Sequence, residues 1–559
     1  MVTWISSKRL GDLLLLANGL VVVIFLNLVA TFFFFRIDLT EEKRYTIQPQ
    51  TKSLLKQLDE PVFVEVFLEG EDLNPEFRRF QKSIRETLEE FRIYSANQIQ
   101  YTFTDPLQAG NDRARNEFIA ELNSKGVSPR NVIETRDGQR VEKFVFPGAL
   151  VSYGGFEIGV NLLKGNRAQN INQSLEGIEY ELANAIHTLT NTQRKRVGLI
   201  TGHGELDSLE FASLNNALLE QYDVFKVNLE EKARVTGYDV LIIAKPTRAF
   251  SNSDKYKLDQ YLMQGGRILF LLDRLDADMN QASEENYFAF PYDLNLEDQL
   301  FRYGVRINPD LIQDRVSGRY PIVVGGDRNQ PQIMQLEWPF FPLANQYYQH
   351  PITRNLDATL LKFASSIDTV KAVGVTKTPL VFSSPYSRRL MAPVKVSVND
   401  LRRQMQDEKF SSGPILMAVL LEGKFTSLYK NRFAPDGVDT IGFRPESKPA
   451  KVIVVADGDL ARNDVNPRER SPQPLGLDPF TQYTFANQDL LLNMVAYLVE
   501  ENGLIKARNK EVKVRPLDKT KIRNEKTYWQ VLNLGLPLVL LVIFGFTRAY
   551  WRKMKYTRF

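Results

Sequence analysis

Two uninterrupted apolar runs bracket the chain, and between them apolar positions recur with strand and helix periods. Residues 13–35, LLLLANGLVVVIFLNLVATFFFF, hold no charge and are long enough to cross a bilayer as a helix. Their Leu, Ile, Val and Phe side chains sum to roughly −5 to −10 kcal/mol of insertion free energy, enough to carry Asn18 and Asn27. A cleaved signal peptide is the competing reading, but the run is too long for an h-region and no A-x-A site follows it. Residues 529–546, WQVLNLGLPLVLLVIFGF, form a second, shorter run that contains Pro537. Membrane helices tolerate proline, and Trp529 suits an interface. A buried core helix is the alternative there. Against it stands the tail at 547–559, which carries five Lys/Arg and no acid.

The middle of the chain reads as two α/β domains. Over residues 40–164 the order is strand, helix, strand, helix, hairpin. PVFVEVFLEG is β-rich, and the next helix places Phe77, Phe80, Ile84, Leu88 and Phe91 on one face. QIQYTFTDP is a strand, Gly126 stops a second helix, and Asp137 with Gly138 is a hairpin turn. This order predicts a thioredoxin-like α/β domain. Residues 165–194 are expected to be a connecting helix. From 195 to 503 strands alternate with helices, including the continuous apolar run of YDVLIIAKP and the helix that buries Phe211, Leu214, Leu218 and Tyr222. Alternation of this kind predicts a doubly wound parallel sheet. An insertion over about 276–447 interrupts it, and VGVTKTPLVFSS, GPILMAVLLEG and KPAKVIVVADGDLARND are read as strands completing the same sheet. Residues 504–526 are a charged connector.

Two spans place both termini, residues 1–12 and 547–559, on one side of the membrane and the bulk on the other. Charge orients them weakly. Lys8 and Arg9 precede the first span, but Arg36, Lys43 and Arg44 follow it, and the basic stretch 506–526 rivals the tail. The tail favours cytoplasmic termini.

A chain of 559 residues exceeds what one core serves. Lys+Arg of 71 against Asp+Glu of 67 leaves +4, too balanced to imply a nucleic-acid partner. Cysteine is absent, which excludes disulfides, thiolate metal sites and a cysteine nucleophile, and only His187, His203 and His350 could serve a His-based site. The first α/β domain therefore lacks the C-x-x-C pair of a thioredoxin enzyme.

In a doubly wound sheet, ligands bind outside the carboxyl ends of the strands. Three loops gather there. The first is Gly202-His203-Gly204-Glu205, the second Asp273-Arg274, the third Asp457-Gly458-Asp459. His203, Glu205, Asp273, Arg274, Asp457 and Asp459 are the candidate ligand-binding residues. The alternative is structural. Polar residues collect at strand ends because loops are wet, Asp207 and Glu210 look like a reciprocal helix cap, and the glycines supply unusual backbone angles. No Walker A loop, G-x-S-x-G elbow or H-E-x-x-H occurs. No catalytic residue, metal or cofactor is expected.

The central sheet resembles that of the class I glutamine amidotransferases, whose cysteine nucleophile is missing here. RIDLTEEKRYTIQPQTKSLLKQLDEPVFVEVFLEG, LITGHGE and FANQDLLLNMVAYLVEENGLIKARNKEVKVRPLDK resemble the GldG family. These are gliding-motility-associated ABC-transporter proteins of Bacteroidota, with an ABC-type uncharacterised transport system domain. The resemblance implies an inner-membrane protein with its bulk in the periplasm, partnered by a GldF-like permease and a GldA-like cytoplasmic ATPase. It supplies no active site and no substrate. Three functions follow: a non-enzymatic transporter subunit, a component that captures a small molecule or glycan, or a cysteine-free hydrolase using His203 as base.

Overall fold

The computed structural model describes residues 7–32, 46–70, 73–108, 111–136, 139–163, 171–191, 193–282, 287–327, 330–398, 407–466, 469–479, 481–499 and 519–557. It divides into two units, residues 1–511 and 512–559. The Asp137–Gly138 turn, residues 1–6, 33–35, 165–170 and 504–518 of the expected segments, and 558–559 of the tail lie outside the described residues.

The chain is a mixed α/β protein with several sheets. Helix α1 is Ser7–Phe32 and α2 is Pro49–Lys56. Strand β1 is Val62–Val66 and α3 is Pro75–Tyr94. Asn74 caps α3 by accepting from the Phe77 amide at 2.8 Å, with Pro75 at the first helical position. Strand β2 (Ile99–Phe103), helix α4 (Asp112–Ser124) and strands β3 (Arg130–Arg136), β4 (Gln139–Val145), β5 (Gly148–Tyr153) and β6 (Phe156–Asn161) follow. A four-stranded sheet runs β2-β1-β5-β6, with β1 parallel to β2 and antiparallel to β5. Phe77, Phe80, Ile84, Leu88 and Phe91 of α3 are buried against it, as their 3–4 spacing dictates. Helix α5 (Ile171–Thr190) adds Ile178, Leu182 and Ile186 to that core.

The second sheet has eight strands. Its first four are β7 (Arg196–Thr201), β8 (Asp223–Asn228), β9 (Val240–Ala244) and β10 (Arg267–Leu271). Helix α6 (Ala212–Gln221) links β7 to β8, and α7 (Asn252–Met263) links β9 to β10. Then come helix α8 (Glu297–Tyr303), strand β11 (Val305–Ile307) and a long hairpin of β12 (Ser317–Asp327) with β13 (Gln330–Ala344). Strands β14 (Gln346–Tyr347), β15 (Val375–Phe382), β16 (Leu416–Gly423) and β17 (Ala450–Val455) complete the sheet, and α9 (Asn487–Val499) packs on it.

The strand order is β14-β15-β16-β17-β10-β9-β7-β8. Five strands, from β17 to β8, are parallel. The other three, β14, β15 and β16, enter antiparallel. The sheet is therefore mixed, where the alternation pattern predicts a parallel one. An apolar run marks a buried strand but carries no sign of its direction. Two cores cover the sheet. Leu214, Leu218, Leu491 and Met494 from α6 and α9 pack on one face. Leu258 and Leu262 of α7 and Leu300 of α8 pack on the other. Burial on both faces explains why β9 is apolar at every position.

The second unit holds helix α10, Lys519–Tyr556. It runs without a break through the expected boundaries at 526, 529 and 546, and Pro537 lies inside it. Among the described residues one helix, Ile522–Lys555, is long and apolar enough to cross a membrane. The apolar stretch Leu13–Leu28 of α1 is shorter.

Candidate functional site

Strands β7, β9, β10 and β17 are parallel neighbours, so their carboxyl ends share one edge. Each is followed within a few residues by a charged or titratable side chain: His203, Lys245, Asp273, and the pair Asp457 and Asp459. Four of these form one buried network. The Lys245 ammonium is ion-paired with Asp273 and lies 2.7 Å from Asp459 Oδ2. Asp273 Oδ1 accepts from the Gly458 amide at 2.5 Å. Asp457 accepts from the Lys362 and Leu460 amides at 2.8 and 3.1 Å. One oxygen from each of Asp273, Asp457 and Asp459 lies within 4.8 Å of the other two.

Three carboxylates this close are costly unless compensated. Burial pushes the Asp457 carboxyl well above its ordinary range, and the charges of Asp273 and Asp459 add to that. Burial acts on Asp459 in the same direction, but the charge and hydrogen bond of Lys245, with the charges of Arg462 and Lys362, together outweigh it and keep that carboxyl low. Burial alone would lower Lys245, yet Asp273 and Asp459 hold it raised. The spacing of the three carboxylates would suit a cation, and the Lys245 ammonium supplies that charge between two of them. Backbone shape supports the arrangement. Lys245 has φ of 53°, and a Cβ on Gly458 would come within 2.7 Å of the Lys245 side chain. Only glycine at 458 leaves room for the lysine stem.

His203 belongs to a different group. Its Nδ1 lies 3.2 Å from Glu205 Oε1 and its Nε2 lies 3.4 Å from Asp254 Oδ2. The ring stacks on Phe250, with centroids 3.8 Å apart. Asp254 also accepts from Ser251 Oγ at 2.7 Å and is paired with Lys257 at 3.1 Å. Burial would push the imidazole down, but hydrogen bonds to Asp254 and Glu205 hold its pKa up at about 9. The loop is shaped by Gly204, whose φ is 74° and whose Cβ would come 2.2 Å from Thr247 Oγ1. Asp207 and Glu210 bond reciprocally, but not as the expected helix cap, since α6 starts at Ala212 with Phe211 at its N-cap position and no side-chain cap bond. Asp207 Oδ1 accepts from the Leu209 and Glu210 amides, both at 2.8 Å, and Glu210 accepts from the Asp207 amide at 3.3 Å. This pairing closes the turn over residues 208–211 ahead of α6.

The six expected residues are thus distributed over three places. Asp273, Asp457 and Asp459 converge. His203 and Glu205 sit at the end of β7, three strand spacings, or about 14 Å, from β17. Arg274 turns away to donate to Tyr292 O and, at 2.7 Å, to Glu297. A cleft of about 420 Å³ opens beside Asp459 and includes Arg319, Tyr320, Lys362 and Arg462. Asp459 Oδ1, though buried, has no hydrogen-bond partner; Arg462 forms an ion pair with it at 3.5 Å and is also paired with Glu210 at 2.6 Å. Sequence reasoning missed Lys245, Asp254, Lys362 and Arg462. Lys245 left a signal: it is the one charge closing the apolar run VLIIAK, at the same edge as the aspartates.

Residues 194–494 match the model of the family described as ABC-type uncharacterized transport system. Residues 41–152 match a domain of unknown function. An uncharacterised protein of Borreliella burgdorferi is 21% identical over 98% of this chain and 99% of its own length. Among solved structures, the mmIFT52 N-terminal domain covers 54% of this chain and 97% of its own at 13% identity, with a TM-score of 0.32, too low to carry an argument.

Proposed function

Since the chain belongs to the ABC-type uncharacterized transport system family, we propose that it is a membrane-anchored, non-enzymatic accessory subunit of an ABC transporter. It couples to, or gates, a permease driven by a separate ATPase. The observation that carries this reading is α10. Its apolar side chains are exposed along the span, Leu534 at 72% and Leu541 at 64%, which in water would be an unsupported cost. Residues 13–35 supply the second anchor, which puts both termini on one side; the basic tail and the GldG resemblance favour the cytoplasm for the termini and the periplasm for the bulk.

The GldG resemblance adds gliding motility as the process served and GldF-like and GldA-like proteins as the partners. The β2-β1-β5-β6 order supports a thioredoxin-like domain over 40–164. The five parallel strands support an amidotransferase-like domain over 195–503. Neither has a cysteine for the chemistry such folds host. His203, held protonated between two carboxylates, is a poor general base at neutral pH. Purification of the full chain from membranes in mild detergent should recover a permease and an ATPase. Recovery of the chain alone would overturn the accessory role. Loss of surface spreading on deletion of the gene tests the motility assignment separately.

A second reading is ligand capture in the cleft beside Asp459, favoured by Asp459 Oδ1, which accepts no hydrogen bond and has only the 3.5 Å ion pair with Arg462. A hydroxyl-rich small molecule or glycan would donate to it. Asp459→Asn should abolish such binding, measured by calorimetry against a panel of mono- and oligosaccharides. A panel without binders removes this reading.

A further inference from the structure

A separate cavity of about 650 Å³ lies against α8 and β11, within the range of small-molecule sites. Much of its wall is apolar, formed by Leu296, Leu300, Phe301 and Leu428. Four arginines join it: Arg274, Arg302, Arg306 and Arg432. Their charges are unequally answered. Arg274 is paired with Glu297 at 2.7 Å and Arg432 with Asp298 at 2.8 Å. Asp298 is shared with Lys255 at 2.6 Å, and the Asp273 carboxylate is taken by Lys245. Arg302 and Arg306 have no acidic partner among the described residues. Asp368, opposite Arg306 on the ladder, accepts instead from the side-chain Nδ2 of Asn308 at 2.9 Å. One more donor is left over, the buried Nε of Arg274, which has no hydrogen-bond partner.

We propose that this cavity binds a small amphipathic oxyanion, an apolar body carrying one carboxylate or phosphate head. The apolar wall takes the body. The guanidinium groups of Arg302 and Arg306 take the head, since paired N–H donors match both carboxylate and phosphate. A neutral apolar ligand would leave two arginines unanswered at the rim, and a cation would meet repulsion. The proposal is independent of the transporter role and holds whether or not a permease is bound.

The test uses the full chain in lipid nanodiscs, titrated calorimetrically with octanoate, octyl phosphate, octylammonium and inorganic phosphate. Octanoate or octyl phosphate should bind saturably at one site, and the preferred one identifies the head group. The R302Q/R306Q variant alters only exposed side chains. It should weaken that binding roughly tenfold or more while the thermal unfolding midpoint stays unchanged. Because octanoate partitions equally into the discs of both proteins, the difference isolates the cavity. Octylammonium binding as tightly as octanoate, inorganic phosphate binding as tightly as octyl phosphate, no saturable binding of either amphiphile, or equal binding by the variant would each overturn the proposal.

Discussion

Lys245 carries more of the site than any residue singled out from the sequence. It sits in the left-handed region with φ of 53°, where a non-glycine residue is strained, and it is held there by two buried carboxylates. Removing its charge strands both. Lys245→Met should therefore destabilise the fold by about 3–5 kcal/mol, read from denaturant unfolding of the full chain. Adding Asp273→Asn and Asp459→Asn should recover most of the loss. A Lys245→Met protein as stable as the parent would show that the network is not compensated in this way. His203 gives a pH signature. Its folded pKa, about 9, lies above the ordinary value of 6.5. Its contribution to stability is fully present below pH 6.5 and is lost as pH rises through 9. Asp254 works in the opposite sense. Burial pushes it up, but hydrogen bonds from His203, Ser251 and Lys257 bring it to about 2, against 3.8 ordinarily. Its contribution is present above pH 3.8 and lost as pH falls through 2. The unfolding midpoint of the parent should fall between pH 6.5 and 9, and His203→Gln should flatten that fall. Parallel curves for the two proteins would dismiss the pairing as a source of stability.

At the level of elements, existence was easier to read than direction or partnership. The 3–4 spacing of Phe77, Phe80, Ile84, Leu88 and Phe91 predicts the buried face of α3, and all five are buried. The apolar runs of β9, β10 and β17 predict strands, and strands form there. Which strands pair, and in which sense, depends on contacts hundreds of residues apart. Nothing local in VTKTPLVF or LMAVLLEG says that both run antiparallel to the strands beside them. The long β12–β13 hairpin was illegible for a related reason: its outer part is exposed, Val323 and Ile333 among them, so those apolar positions report no core, while Trp338 and Phe340 nearer its base are buried. The candidate site shows the same limit. Strand-end aspartates are visible in sequence, but their convergence follows from strand order, and Arg274 departs because α8 offers it Glu297. The anchors are the other element-level question. Deleting residues 512–559 removes α10 and leaves the apolar stretch of α1. The truncated chain should stay in the alkali-washed membrane pellet, and further deletion of residues 1–35 should release it. Release on the first deletion alone would leave a single anchor.

For the whole molecule, sidedness decides which of its surfaces a permease, an ATPase or a ligand can reach. Charge around the spans orients it weakly, but the composition offers a clean probe. The chain has no cysteine, so any single introduced thiol reports without background. Ser411 is exposed in the large domain and Thr557 is exposed just beyond α10. With periplasmic bulk and cytoplasmic termini, Ser411→Cys should react with a membrane-impermeant maleimide once the outer envelope is permeabilised. Thr557→Cys should react only after the inner membrane is broken. The reverse pattern would invert the topology and place the Asp459 cleft and the arginine-lined cavity on the same side as ATP. Labelling of both positions in unbroken cells would mean that α10 does not cross the bilayer. Its exposed apolar face would then need a protein partner within the membrane plane or outside it, and the accessory role would have to be rebuilt from that contact.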